Sequence, residues 1–192
     1  MISVEVKIET PRLLIREYQA GDLSSIHEYA SQPSVVRYET WGPNAYHDTE
    51  GFLRDAQNSR NEQPRVTFEL GIERKEDGRQ IGGCELDISS LDGCAAIMGY
   101  IINPLFWNNG YATEVAKALL NYGFEEHNLV VIRGTCDSKN LASQRVLEKS
   151  GFILEKVIRH HFVQKGVLRD TCQYMMVRSR YMQYKKEGQG LS

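Results

Sequence analysis

The chain is poor in the features that would place it at a glance. Its four cysteines, Cys84, Cys94, Cys136 and Cys172, never fall in CxxC spacing, which removes the usual zinc and thioredoxin-like signatures. Reduced and mostly buried thiols are expected instead, and no metal. A bias toward one sign of charge is also lacking: the formal net charge of −2 argues against a general affinity for nucleic acid. No apolar run is long enough to span a bilayer. The opening MISVEVKIETPRL lacks a basic segment followed by an apolar core, so cytoplasmic residence away from membranes is the expectation. Neither GxxxxGKS/T nor GxGxxG occurs, which leaves no lysine and magnesium-binding hydroxyl for a P-loop nucleotidase and no dinucleotide fingerprint.

What is present is ordinary for a globular protein, with 41% hydrophobic and 25% charged residues, so wholesale disorder is excluded. A length of 192 residues suits one domain with its own core, taken as 1–192 with a polar C-terminal tail over 179–192.

RLLIREY (12–18) alternates apolar and polar residues and reads as a strand. DLSSIHEYASQP (22–33) offers Asp22 as the cap of a short helix that stops near Pro33. After VRYETWGPNAYHD, Asp48 or Thr49 is placed to cap a second helix through FLRDAQNSR (52–60). Few apolar stripes mark these two helices, so they are expected at an edge or rim. Three strand patterns follow, VTFELGIER (66–74), QIGGCELDIS (80–89) and CAAIMGYIIN (94–103), separated by Asp77-Gly78 and Asp92-Gly93 turns; this reads as an antiparallel meander. From Ala112 onward, Val115, Ala116, Leu119 and Tyr122 recur at helical spacing. LVVIRGTCD (129–137) is a strand, and NLASQRVLEKSGF (140–152) is a short helix ended by Gly151. FILEKVIRHHFV (152–163) and VLRDTCQYMMV (167–177) are strands around a Lys165-Gly166 turn. The order predicts a mixed α/β fold, one twisted and mostly antiparallel sheet with helices on both faces.

The segment NPLFWNNGYATEVAKALLNYGF (103–124) passes from strand through an amide-rich turn directly into a helix. A helix that opens on a glycine turn exposes unpaired N–H groups at the positive end of its dipole, a place that attracts phosphate. Gly110 removes a Cβ, Ala112 stays small, and Thr113 adds a hydroxyl; alone, such a short motif is equally compatible with a plain capped turn.

Taken together, MGYIINPLFWNNGYATEVAKALLNYGF and NLASQRVLEKSGF resemble the acyl-CoA-binding core of the GNAT acetyltransferase superfamily. TPRLLIREYQAGDLSSI resembles the opening of its branch of ribosomal-protein N-terminal (alanine) acetyltransferases, and the likeness runs over residues 10–177. It implies direct acetyl transfer from acetyl-CoA to a primary amine, a protein N-terminus or a small molecule, with no acyl-enzyme and no role for the cysteines. The pantetheine arm would lie as an added strand between the run Tyr100, Ile101, Ile102 and residues 130–136. The pyrophosphate would sit on the amides of Asn108, Asn109, Gly110, Tyr111, Ala112 and Thr113, behind Trp107. Where relatives commonly have glycine after the tryptophan, this chain has Asn108, tolerable with a negative φ. Small enzymes of this type often form homodimers.

Amine acetylation needs a neutral amine, a polarised carbonyl and a protonated leaving thiolate. The resemblance places Asn140 on the pantetheine arm and makes Ser143 the general acid; alternatively, Asn140 is an N-cap and Ser143 a first-turn residue. Ile97 stands where relatives often carry a glutamate, which leaves Glu85 as the leading base, with Glu69, His160 and His161 behind it. Adjacent histidines of a regular strand face opposite sides. Tyr100, Trp41 and Tyr46 are candidates for the acceptor cleft, Tyr100 also for the core. The competing expectation is a non-catalytic acyl-CoA-binding regulatory module that lost its base at Ile97.

Overall fold

The computed structural model describes residues 5–88 and 93–187. In chain order the elements are β1 (Lys7–Glu9), β2 (Leu13–Glu17), α1 (Leu23–Ala30), α2 (Tyr46–Ser59), β3 (Thr67–Arg74), β4 (Gln80–Asp87) and β5 (Ala95–Ile102). There follow α3 (Tyr111–Asn121), β6 (Val131–Asp137), α4 (Leu141–Lys149), β7 (Ile153–Gln164), β8 (Val167–Val177) and α5 (Arg178–Lys186). One eight-stranded sheet runs β1-β2-β3-β4-β5-β6-β8-β7. Every neighbouring pair is antiparallel except β5 with β6. The mixed α/β architecture, its mostly antiparallel sheet and its two helical layers are those the sequence predicts.

Alternation decides the faces. Leu13 and Ile15 of β2, Leu70 and Ile72 of β3 and Leu86 of β4 are fully buried on the side covered by α3, whose Val115, Ala116 and Leu119 are also inaccessible. Burying each such side chain contributes roughly 1.5–3 kcal/mol before entropy is counted. The opposite face carries a second cluster, in which Ile26, Tyr29 and Ala30 of α1 meet Leu53 and Ala56 of α2 over Tyr18. These two helices therefore cover the sheet at β3 and β4 rather than forming a rim. The i, i+3, i+4 spacing in α1 was short but sufficient.

The local differences have physical causes. Helix α2 starts at Tyr46, with Asp48 at its third position accepting from Ala45 N at 2.9 Å instead of capping, while Thr49 is fully buried. Strand β1 is three residues long, with half-buried Ile8 between exposed Lys7 and Glu9, too short a run to stand out in the sequence. Residues 178–186 are helical, not a solvated tail: Tyr181 is buried, stacks on Phe124 and donates to Asn121 at 2.9 Å. The remainder of that expected tail, 188–192, lies outside the described residues, as does Asp92 of the second meander turn. Two thiols, Cys84 and Cys172, are buried as expected, whereas Cys94 is exposed. Among the described residues no helix is long and apolar enough to cross a membrane.

One feature of the sheet positions the site. Strands β5 and β6 pair only from Ala95–Val131 to Met98–Gly134. Beyond that point β5 continues against β4 to Ile102, and β6 continues against β8 to Asp137. The middle of the sheet is therefore split into an open gap.

Candidate active site

The direction of the main-chain groups along β5 follows from its ends. Cys94 O accepts from Val130 N on the β6 side, and Asn103 N donates to Ile81 O on the β4 side. By alternation, Tyr100 and Ile102 turn their N–H and C=O groups into the gap, and Ile101 turns its groups to β4. The Ile101 carbonyl lies against Gly82, so of the three residues assigned to the cofactor only Tyr100 and Ile102 offer a strand edge. Trp107 Nε1 already donates to Ile102 O at 2.6 Å, tying the loop to that edge.

The loop after β5 is built from its own amides. Asn103 Oδ1 accepts from Leu105 N, and Asn109 Nδ2 donates to the carbonyls of Phe106 and Trp107. Asn108 has φ 60°, not the negative value expected of it. Asparagine is among the few residues that accept the left-handed region readily, so the loop closes without a glycine there. Gly110, at φ 79°, opens α3, whose first bond is Glu114 N to Gly110 O at 3.1 Å. The amides of Tyr111, Ala112 and Thr113 precede the first repeating helical bonds and point out of the helix start with its positive dipole. A Cβ at Gly110 would meet only the Arg12 guanidinium, at 3.5 Å, so the residues present fit a diphosphate with a cation beside it.

Arg12 was not singled out from sequence. Its Nη1 donates to Asn109 O at 2.8 Å, its Nε and Nη2 reach Glu114 Oε2 at 2.7 Å, and its guanidinium covers the Tyr111 ring at 4.6 Å. Burial acts to raise the Glu114 pKa, but hydrogen bonds from Thr10 and Arg12 outweigh it and hold the carboxyl below its ordinary range. No motif marks an arginine whose partners lie about a hundred residues away; the opening strand showed it only as a polar position.

On the α1/α2 face of the gap stand two carboxylates. Glu69 and Glu85 are cross-strand partners, and Glu85 is in turn opposite Gly99 of β5. A Cβ on Gly99 would lie 2.8 Å from Glu85 Oε1, so the bare backbone lets the carboxylate lie across β5 toward the gap. Burial first, then the neighbouring Glu85 charge and hydrogen bond, push the Glu69 pKa up to about 8. Glu85, the leading candidate base, thus stands in a carboxylate pair whose perturbed member is Glu69. Glu39, missed from sequence, lines the same cleft; burial and Glu85 push its pKa up, and Lys165 opposes them. Lys165 Nζ donates to Val36 O at 2.8 Å and Trp41 O at 3.1 Å, and Gln164 Nε2 donates to Glu39 O. The tip of the β7–β8 hairpin thereby clamps the loop that carries Glu39.

Trp41 lines this cleft, but Tyr46 is 49% exposed and packs edge-on against His27 outside it. Ile97 lies exposed on the carboxylate face. Neither His160 nor His161 is part of the cleft lining. His160 has φ 50° at an irregularity of β7 and donates its N–H to Asp170, whereas the His161 ring contacts Thr171 Oγ1 at 2.9 Å. The bulge, not simple alternation, sets their directions.

Across the sheet, Tyr100 reaches α4. Its hydroxyl is 3.1 Å from Ser143 Oγ and 3.3 Å from Ser143 O. Asn140 Oδ1 accepts from Ser143 N at 3.1 Å, so the capping role is present; it leaves the Asn140 Nδ2 group available to a ligand. Burial pushes the Cys136 thiol up to about 12, which makes it a poor nucleophile beside the gap. The gap thus has a carboxylate pair on one face, the Tyr100 and Ser143 hydroxyls on the other, and the amides of a helix start at the loop.

Residues 12–153 match the family model described as an acetyltransferase (GNAT) domain. The uncharacterized N-acetyltransferase YnaD of Bacillus subtilis strain 168 is 35% identical over 144 residues, 75% of this chain and 81% of that protein. Spermidine N(1)-acetyltransferase of Escherichia coli K12 is 28% identical over 184 residues, 92% of each chain. Among solved structures, a GNAT-family acetyltransferase from Bacillus anthracis superposes with a TM-score of 0.81 at 27% identity, covering 91% of this chain and 99% of that one. Spermidine N-acetyltransferase from Vibrio cholerae, in complex with CoA and spermine, shares the fold with a TM-score of 0.76 at 23% identity, covering 88% and 98%.

Proposed function

The chain belongs to the GNAT acetyltransferase family, and from that premise we propose that it acetylates the primary amine of a small, cationic acceptor, using Glu69–Glu85 as the base. One observation carries this reading: the paired carboxylates lie over Gly99 toward the same gap that Tyr100 and Ser143 flank from the other face. An amine entering from the α1/α2 side meets Glu39, Glu69 and Glu85, an acidic approach that favours a cation. The relationship to a spermidine acetyltransferase supports an acceptor with more than one cationic nitrogen.

Bound acetyl-CoA supplies an activated thioester. The main-chain groups of Tyr100 and Ile102 would align its arm, with the Asn140 amide beside it and the loop amides from Asn108 to Thr113 holding its diphosphate. The carboxylate pair takes the proton of the acceptor ammonium, a match favoured by the high pKa of Glu69. Ser143 Oγ–H gives a proton to the departing sulfur. Ile97 leaves no carboxylate on its own strand position, yet the pair from β3 and β4 supplies what the position lacks, so the non-catalytic alternative loses its ground.

Thiol release from acetyl-CoA, followed against spermidine, simple monoamines, amino acids and a peptide beginning with alanine, tests the acceptor class. Spermidine or another polyamine should give the highest kcat/KM. A clear preference for the peptide would overturn the small-cation reading and transfer it to a protein N-terminus.

A further inference from the structure

Ser143 is surrounded in a way that a solitary general acid need not be. Its hydroxyl has Tyr100 Oη at 3.1 Å and lies beside the Cys136 thiol, and Tyr100 itself is held partly buried between β5 and α4, at the wall of the open cleft. An aliphatic hydroxyl is a weak acid, on the order of bulk water at about 16, whereas a thiol of about 8.5 is far stronger. Ser143 alone would have to part with its proton steeply uphill. A phenol, about 10 in water, is the stronger acid of the two hydroxyls, although burial of Tyr100 takes back part of that advantage.

We propose that Tyr100 is a positioning and relay residue behind Ser143, its hydroxyl proton passing to Ser143 Oγ as the Ser143 proton passes to the leaving sulfur. The C–S bond breaks with its electron pair on sulfur; the S–H bond forms with the serine proton; the serine O–H is restored from tyrosine. The acceptor nitrogen gives up two protons on going from ammonium to amide, both through the carboxylate pair and water; one equivalent restores the tyrosine and the other is released, so each turnover yields amide, thiol and one free proton. Burial raises the Tyr100 pKa well above its ordinary value, which keeps the phenol protonated at the start of each turnover. The Tyr100 hydroxyl also donates to Ser143 O at 3.3 Å, so its single proton lies between the carbonyl and the nearer Oγ and turns to Oγ for the relay.

This inference rests on the acetyltransfer reading but fails separately from it. Wild-type turnover with an amine tests the reaction; the relay is tested within that reaction by Tyr100→Phe, Ser143→Ala and their combination. Tyr100→Phe should lower kcat by roughly tenfold to a hundredfold, with the dissociation constant for CoA within about twofold. The double variant should be no slower than Ser143→Ala, because a relay is lost once. The kcat proton inventory in mixed H₂O and D₂O should be bowed for the wild type and straight for Tyr100→Phe, a readout that a merely structural tyrosine would not move. Multiplying effects of the two substitutions, or a proton inventory unchanged by Tyr100→Phe, would overturn the relay and leave Ser143 acting with water.

Discussion

The two halves of the gap are made of different material. On the side proposed for the cofactor the available groups are backbone amides of one continuous segment, the loop and helix start around Gly110, backed by Arg12. On the acceptor side they are side chains from the loop carrying Glu39 and Trp41, from β3 and from β4, with the hairpin tip clamping that loop. A backbone site depends on conformation, and conformation is encoded locally by glycine, asparagine and proline. A side-chain site depends on strand register, which no short segment contains.

The largest effect should come from removing the acceptor-side base. Glu69→Gln with Glu85→Gln keeps size and burial while deleting both carboxylates, and should lower kcat/KM by about 10²–10⁴ at neutral pH. Single variants should be milder, since either member can hold the shared proton. In the wild type kcat/KM should rise with pH along an acid limb set by the Glu69–Glu85 pair, and the double variant should lose that limb. An unchanged limb would place the titration on the substrate amine. CoA binding, followed by calorimetry, should survive the double change.

The converse experiment strikes only the cofactor side. Gly110→Leu forces a branched side chain into φ 79° and against Arg12, so CoA affinity should fall by roughly tenfold to a hundredfold. Unfolding midpoints should be compared at the same time. Unchanged affinity in a folded variant would separate the glycine turn from cofactor binding and break the division between the two sides.

That division also accounts for what could be read in advance. The apolar spacing of Val115, Ala116 and Leu119 announced α3, and the amide-rich turn announced its start, because both signals are complete within one segment. The Asn140 cap was equally local. Glu39 and Gln164, in contrast, stand 125 residues apart and meet only once the sheet is assembled. Glu69 was visible as a strand residue, but its raised pKa arises from burial and from register with Glu85. The φ of Asn108 was misjudged because the same asparagine fits either sign of φ, and the loop around it decides.

A smaller effect belongs to stability. Glu69 has its pKa raised above the unfolded value of 4.5, so between about 4.5 and 8 the folded chain binds more protons than the unfolded one. Stability should therefore fall as pH rises through that window, by at most about 5 kcal/mol at roughly 1.4 kcal/mol per pH unit. Glu39, also raised, contributes in the same direction. Denaturant midpoints at several pH values should show a shallower decline in Glu69→Gln, without abolishing it. A steeper decline would mean that the pair is better stabilised as anions than its burial implies.

The smallest expected change is also the one that isolates the acceptor side most cleanly. Lys165 touches neither the carboxylate pair by hydrogen bond nor the cofactor loop; its ammonium binds the carbonyls of Val36 and Trp41, one on each side of Glu39. Charge-assisted bonds to two carbonyls hold the loop more firmly than neutral ones would, and part of that grip passes to Gln164 when the lysine is lost. Lys165→Met keeps the stem and removes the charge. The loop should then sample wider positions, and Glu39 should lose the cation that opposes its raised pKa, so a cationic acceptor meets a less ordered and less charged wall. We expect KM for the amine to rise about threefold to tenfold, with kcat and the CoA dissociation constant changed by less than about twofold. A fall in kcat at unchanged KM would assign the hairpin tip to the chemistry, and weakened CoA binding would show that the two sides of the gap are coupled through the loop rather than independent.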